Sequence, residues 1–407
     1  MAVPIYDALK AHCASGRAKL HMPGHKGAAG NFPPELAGML ALDTTELPGT
    51  FDLLAGEGTC LEQAQSLAAK LYGAGAVLFS AGGATLCIQA MLRAALPHGG
   101  KLLCSRVLHR AAANAFCLLN ILPVFMVHDN SAGEYFHGRI NPEALTDAIA
   151  QNPDAKGVYI TSPDYFGTMS DIPALAEIAH RAGLPLLVDA AHGAHLEPMG
   201  IAQGHGADYA AQSLHKTLPA LTGAAWLQLA DEKNAQIVRE AMEIFGSSSP
   251  SFPIVLSIDF AREWLEKTGK QELCDLAAKV RKIKNLLPHT PLGAVDPLRI
   301  AFAYDPRLDM GKLLRAAGIE PEYAENGRGI LIPTAGNSGE DFAKLESFFA
   351  AADLGTPRPQ PLIYNRRFCS PRQAFFSKKL PFNVSRRNVV DCPPAVPVVL
   401  AGEEFCG

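Results

Sequence analysis

Short apolar runs alternate with helix-like segments between about residue 57 and residue 235. Apolar runs of four to six residues predict buried β-strands, and the amphipathic stretches between them predict α-helices. The predicted strands are 76–79, 101–104, 123–127, 157–161, 186–189, 209–212 and 224–229, and the predicted helices are 85–96, 111–119 and 172–182. Such alternation favours an α/β domain with a mainly parallel sheet that is covered by helices on both faces.

The rest of the chain divides where its composition changes. Residues 1–55 are interrupted by Pro and Gly, and they predict an N-terminal arm with a short helix followed by loops. Residues 56–245 hold the α/β domain, 246–355 predict a smaller α+β domain, and 356–407 predict a linker and a short C-terminal region that packs against the body. The smaller domain's predicted helices and strands are 263–267, 272–287, 298–303 and 329–333.

Composition narrows the class of partner. The chain has 36 Lys and Arg against 40 Asp and Glu, a net charge of −4, so no basic field for nucleic acid is expected. No apolar run approaches the ~18 residues that span a bilayer, and the first residues lack the pattern of a signal peptide. The nine cysteines are scattered without a C-x-x-C pair, which favours reduced, buried thiols in a cytoplasmic protein.

An acidic residue ends one predicted strand, and a lysine follows the next. Asp189 closes the run Leu184–Val188, and Lys216 follows the strand 209–212. Pyridoxal phosphate needs a lysine for a Schiff base and an acid that partners its pyridinium nitrogen. Ligands of such sheets bind beyond the carboxyl ends of the strands, where both residues fall. The pair predicts a pyridoxal phosphate site, although a helix-capping acid and a surface lysine are simpler interpretations of each residue alone.

A phosphate cradle is predicted between the first strand and the first helix of the α/β domain. Ser80–Thr85 contains Gly82 and Gly83, and free N–H groups at a helix start attract phosphate. Thr85 adds a hydroxyl, and Ser213 in the lysine segment is a second candidate for a phosphate contact. The Gly-Gly turn is weak evidence by itself, because no G-x-G-x-x-G is present.

Several histidines lie near these segments. His109 follows a strand, where its ring could stack on a planar cofactor, although a lone histidine is more often structural. His215 is adjacent to Lys216 and would help to lower the pKa of that amine. Asp189, His192 and His195 also suggest a metal site, and hence a metal-dependent hydrolase. No further ligand cluster stands nearby, so no metal is predicted.

Six motifs occur in order along nearly the whole chain: His21–Gly27 (HMPGHKG), Asp43–Gly49 (DTTELPG), Ser162–Gly167 (SPDYFG), Val188–His195 (VDAAHGAH), Gln212–Leu218 (QSLHKTL) and Ser370–Phe376 (SPRQAFF). In these motifs the chain resembles the Orn/Lys/Arg decarboxylase family, and in particular its shorter bacterial members. The resemblance implies a fold-type-I pyridoxal phosphate enzyme, similar to aspartate aminotransferase, with a large domain, a small domain and a C-terminal appendage.

The resemblance also implies an activity and a set of roles. The expected reaction converts arginine, lysine or ornithine to the corresponding amine and CO₂, in polyamine biosynthesis, by a homodimer or larger homo-oligomer. Lys216 or His215 would return a proton to Cα. The implied contacts with the cofactor are Lys216 as Schiff-base lysine, Asp189 at the pyridinium nitrogen, His109 on the ring, His192 near the phenolic oxygen, and Thr85, the Ala84 backbone, Ser213 and His215 at the phosphate.

Some positions depart from the family's pattern. Ala190 replaces the acid that usually follows the aspartate, and residues 83–85 offer one hydroxyl where the family has two or three. Cys392–Pro397 replaces a Y-P-P-G-x-P segment, and the chain ends soon afterwards. An aminotransferase or another lyase on the same scaffold, and a catalytically impaired relative, are therefore kept as alternatives.

Overall fold

The computed structural model describes residues 2–28, 30, 32–47, 58–202, 204–359, 369–377, 384–385, 387–391 and 396–404. The helices of this part are α1 (Pro4–Ala14), α2 (Pro34–Leu42), α3 (Cys60–Tyr72), α4 (Gly83–Ala95), α5 (Arg110–Leu119), α6 (Pro142–Gln151), α7 (Ile172–Arg181), α8 (Ala235–Phe245), α9 (Phe252–Trp264), α10 (Lys270–Lys284), α11 (Met310–Ala316), α12 (Gly339–Ala351) and α13 (Pro371–Phe376). The strands are β1 (Ala76–Ser80), β2 (Gly100–Cys104), β3 (Ile121–Phe125), β4 (Val158–Thr161), β5 (Leu186–Asp189), β6 (Tyr209–Ser213), β7 (Ala225–Leu229), β8 (Ile300–Ala303), β9 (Tyr323–Glu325), β10 (Arg328–Leu331), β11 (Val389–Asp391) and β12 (Val396–Val399).

Within the described residues, seven strands form one sheet in the order β1-β7-β6-β5-β4-β2-β3. The five strands from β6 to β3 are parallel to their neighbours, and β7 runs antiparallel to both β1 and β6. The predicted mainly parallel sheet is correct. The reversed strand leaves β1 pointing in the same direction as β6, so the ends of both strands reach the same edge of the sheet.

Both faces of this sheet are buried. In β5, Leu187 packs into the apolar cluster that includes side chains of α4, α5 and α8. Its neighbours Leu186 and Val188 point to the opposite face, where they pack with α6 and α7. This alternation follows from the two-residue repeat of a strand, and burial on both faces explains why the strands read as continuous apolar runs.

A second, antiparallel sheet is formed by β8, β10 and β9, in that order. Residues of α10 and α12, among them Val280 and Phe349, share its apolar cluster with Ile300 and Phe302 of β8. The C-terminal residues pack on the large sheet's helices, since Ala374 and Ala401 bury against Cys117 of α5. The division of the chain at residues 55, 245 and 355 stays a prediction.

Several predicted elements differ from the structure. The arm contains a second helix, α2, and its first residue is Pro34, since a proline fits the first helical position without loss of a hydrogen bond. The separate helices predicted at 263–267 and 272–287 are instead α9 and α10, which are joined through a π-helical turn at Leu265–Gly269. The strand predicted at 123–127 is Ile121–Phe125. The helix α6 and the short strand β9 were not indicated by the pattern.

The described cysteines form no disulfide, but Cys13 and Cys274 are exposed, so the expectation of buried thiols is wrong for these two. Among the described helices, none has both the length and the apolar character that a membrane crossing requires.

Candidate active site

A cavity opens where the strands of the large sheet end. In register, Thr161 of β4 lies beside Asp189 of β5, and Ala225 of β7 lies between Ser80 and Ser213. The segments that follow β1, β5 and β6 therefore converge on this edge. All eight residues that the sequence suggested for the site line the cavity: Ala84, Thr85, His109, Asp189, His192, Ser213, His215 and Lys216. Their individual roles stay predictions.

Asp189 is held in a fixed orientation at the end of β5. Its side chain is buried, the hydroxyl of Tyr159 donates to Oδ2 at 3.0 Å, and the Ala191 N–H donates to Oδ1 at 3.2 Å. These two donors orient the carboxylate. A planar cation above this edge of the sheet would meet a preoriented acid.

Lys216 lies in the short 3₁₀ turn that follows β6, and its amine contacts a histidine. The Lys216 Nζ atom is 3.0 Å from Nε2 of His192, and Nδ1 of the same ring is 2.9 Å from Nη2 of Arg299. Arginine can only donate, so Nδ1 of His192 accepts and the neutral ring carries its proton on Nε2. That proton points at Nζ, which must then be the uncharged amine.

The electrostatics of this chain of contacts agree with an uncharged amine. Burial lowers the pKa of Lys216, and the Arg299 cation lowers it further, while Asp189 and Glu322 act in the opposite direction. Burial also lowers the pKa of His192 well below its ordinary value, helped by Lys216 and Arg299. An uncharged amine is the nucleophile that a carbonyl compound requires.

The first turn of α4 forms another side of the cavity. Gly83 has a φ of 67°, which glycine adopts without strain, and its N–H donates to the Gly223 carbonyl. Gly83, Ala84 and Thr85 line the cavity at the helix start, where N–H groups lack partners within the helix. With the Thr85 hydroxyl and nearby Ser213, this turn suits a phosphate.

His109 faces the cavity from the start of α5. It is the N-cap residue, and its Nδ1 accepts the Ala111 N–H at 3.1 Å. Burial lowers the pKa of His109, although Asp189 opposes the shift. The ring is therefore neutral and held by the helix, as a stacking partner should be.

His215 is fixed by its own backbone contact. Its Nδ1 donates to the Ala224 carbonyl at 3.1 Å, and burial lowers the pKa of the ring. Since Nδ1 carries the proton, Nε2 is the basic nitrogen that can accept another.

The structure adds residues that the sequence analysis missed. Arg299 precedes β8 and is buried against His192. Tyr165 lines the cavity, and its hydroxyl donates to Oε1 of Glu322 at 3.0 Å. A signal for Arg299 was present, because a charged residue stands inside the apolar run Leu298–Ala303. Glu322 lies in a polar segment that carried no such signal.

These groups fit pyridoxal phosphate. The cavity offers an uncharged lysine amine, an oriented acid, a neutral histidine ring and a helix start, each of which matches one part of the cofactor. The alternative metal site is not formed, because His195 is instead bound through Nε2 to Asp296 at 2.8 Å. Among the residues described, no group of three His, Cys, Asp or Glu could hold a metal ion.

Comparisons with known proteins agree with this site. The family model described as Orn/Lys/Arg decarboxylase, major domain, matches residues 3–299. The chain is 29% identical to the Bacillus subtilis (strain 168) proteins named uncharacterized protein YaaO and arginine decarboxylase. These alignments cover 100% and 98% of this chain, and 92% and 90% of those proteins.

Among solved structures, the Escherichia coli constitutive lysine decarboxylase is similar, with a TM-score of 0.78 and 17% sequence identity. The match covers 99% of this chain and 76% of that one, and it confirms the predicted fold type. The chain thus belongs to the Orn/Lys/Arg decarboxylase family, and it is a fold-type-I decarboxylase that depends on pyridoxal phosphate.

Proposed function

We propose that this enzyme removes the α-carboxylate of a basic amino acid and that its substrate is arginine. The observation that carries the proposal is the carboxylate of Glu322, which accepts a hydrogen bond from Tyr165, a residue that lines the cavity. A guanidinium presents a planar fork of donors that one carboxylate can accept bidentately. The relative named arginine decarboxylase supports arginine over lysine and ornithine.

The cofactor, when bound, supplies an electron sink for the pair of electrons that CO₂ leaves behind. The described residues would hold it as the resemblance implies. Asp189 would pair with the pyridinium nitrogen, because Tyr159 and the Ala191 N–H already orient its carboxylate. The first turn of α4, with Ser213, would bind the phosphate, and the His109 ring would stack on the heterocycle.

Lys216 and His215 would carry out the proton transfer to Cα. His192, oriented by Arg299, keeps the Lys216 amine uncharged and directed into the cavity. The α-ammonium group of an entering substrate would have to lose a proton, and the Lys216 amine or Nε2 of His215 could accept it. After CO₂ departs, the same group could return this proton to Cα. Both side chains line the cavity, so each is within the same enclosure as the substrate.

The test is product analysis of the cofactor-loaded enzyme with arginine, lysine and ornithine. Arginine should yield agmatine and CO₂ in equal amounts, and Lys216→Ala should abolish this turnover and the borohydride-stable attachment of the cofactor. A keto acid as product would favour an aminotransferase. Preference for lysine or ornithine would overturn the choice of arginine, and no turnover would support an impaired relative.

Glu322→Gln tests the recognition of the distal cation. Loss of one charge-assisted hydrogen bond should raise KM for arginine roughly tenfold, with a smaller effect on kcat. Glu325→Gln is the matched control, because Glu325 is an equally exposed acid three residues away, whereas Glu322 is the one bonded to Tyr165 of the cavity. Equal KM values for both variants would contradict the assignment.

A further inference from the structure

We propose that a buried ion pair between Glu403 and Arg106 positions the loop 105–109, which ends at His109. Glu403 belongs to the C-terminal segment, by which we mean the described residues 384–385, 387–391 and 396–404. The two residues are separated by almost three hundred positions in the sequence, yet Nη2 of Arg106 lies 4.0 Å from Oε2 of Glu403. Arg106 is 2% exposed and Glu403 is 1% exposed. Charges buried to this extent are retained in proteins when they are paired, since an unpaired one is costly.

Other contacts also hold Arg106 and its neighbour Ser105 in place. Its N–H donates to Nε2 of His128 at 3.3 Å, and the guanidinium lies over the Phe125 ring at 5.2 Å. The hydroxyl of Ser105 also contacts Nε2 of His128, at 3.1 Å. Movement of Arg106 would therefore move the whole loop 105–109 that joins β2 to α5.

His109 depends on that loop. It is three residues beyond Arg106, and its ring caps α5 by accepting the Ala111 N–H. A shift of the loop would displace the ring or break this cap. The ion pair thus acts on the cofactor site through His109, and Arg106 and Glu403 are positioning residues rather than catalytic ones.

The C-terminal segment is itself held in place around Glu403. The same carboxylate atom, Oε2, accepts the Leu400 N–H at 2.9 Å, and the Glu403 carbonyl accepts the Ser385 N–H at 2.9 Å. Leu400 is buried in the same apolar cluster as Leu108 and Ala111. The segment therefore supports both sides of His109, by charge at Arg106 and by packing at the start of α5.

The experiment compares Glu403→Gln with a matched buried pair elsewhere. Glutamine keeps an oxygen for the Leu400 N–H and removes only the charge. The control is Asp259→Asn, because Asp259 and Arg262 form a fully buried ion pair that contacts the start of α1. Hydrogen exchange of residues 105–113 is measured on cofactor-free protein, and pyridoxal phosphate affinity is measured separately by titration.

We expect exchange at 110–113 to become about tenfold faster in Glu403→Gln and to stay unchanged in Asp259→Asn. Cofactor affinity should fall about three- to tenfold, the equivalent of one lost stacking contact. Unchanged exchange in Glu403→Gln, or the same increase in Asp259→Asn, would overturn the inference. The inference rests on the proposed function, in which the His109 ring stacks on the cofactor. Faster exchange in Glu403→Gln with unchanged cofactor affinity would contradict only that role of His109.

If Glu403→Gln does not fold, Glu403→Asp is the variant to measure in its place. It keeps the charge and withdraws the carboxylate by one methylene, so the pair is lengthened rather than abolished. We expect an intermediate increase in exchange at 110–113. Exchange equal to that of the unmodified protein would count against a positioning role.

Discussion

Charges of both signs act on the amine of Lys216: Asp189 and Glu322 raise its pKa, and Arg299 lowers it. The main cause of its lowered pKa is burial, Arg299 strengthens the shift, and Glu322 weakens it. Replacing either residue should move the pKa of this amine in a known direction, because burial of the amine is largely retained.

We expect Arg299→Met to raise the pKa of Lys216 and Glu322→Gln to lower it. Only the uncharged amine reacts with the cofactor aldehyde, so the pH profile of cofactor attachment should move to higher pH in Arg299→Met and to lower pH in Glu322→Gln. The rate of borohydride-stable attachment to cofactor-free protein, followed from about pH 6 to pH 10, measures both. Shifts of the same sign would refute this account of the site.

At this scale the sequence was a good guide to residues next to strand ends. Asp189, Ser213 and Lys216 could be predicted because chain order alone puts them beyond neighbouring strands of a parallel sheet. Arg299 and Glu322 could not be assigned, because they contact the cavity residues His192 and Tyr165 from the region of the second sheet. The hydrogen bond between Arg299 and His192 joins residues 107 positions apart.

Among the elements, α4 contributes most to the proposed phosphate site. The helix begins with Gly83, Ala84 and Thr85, and of these three only Thr85 has a polar side chain. Thr85→Val keeps the side chain's shape and removes the hydroxyl. Cofactor affinity should fall about tenfold, since a hydrogen bond to a charged group contributes about 1.5 kcal/mol or more. Thr85→Ser, which keeps the hydroxyl, should bind nearly normally, and equal weakening of both variants would exclude the hydroxyl as the cause.

Some helices and strands could not be predicted from the sequence pattern. Strands buried on both faces were recognisable as apolar runs, and the helices α4, α5 and α7 between them were recognised as well, but α6 was missed. The helix α2 (PELAGMLAL) has apolar residues all around it, so it lacks the one-sided apolar stripe by which a helix is usually recognised. The strand β9 has three residues, too few for an alternating pattern to be visible.

For the whole molecule, we propose a homodimer, and α2 supports it. Leu36 and Met39 of this helix are 43% and 47% exposed, and nearby Leu20 and Met22 are exposed as well. We expect the protein to run at twice its 43.3 kDa mass, and Leu36→Glu with Met39→Glu to shift it towards the monomer. Sedimentation velocity measures this change. Leu313→Glu, a similarly exposed leucine on α11, is the control, and a monomeric unmodified protein would disprove the proposal.

The reversed strand β7 has a consequence for the order of events during synthesis. Among the described strands, β1 hydrogen-bonds to β7 and to no other, so the first strand made has no place in the sheet until residues 225–229 have emerged from the ribosome. The turn after β1 and the lysine after β6 can face each other only when β7 separates them. The nascent chain therefore cannot take up vitamin B6 before β7 has joined the sheet. Ribosome-bound chains from which residues 225–229 have not yet emerged should not acquire it.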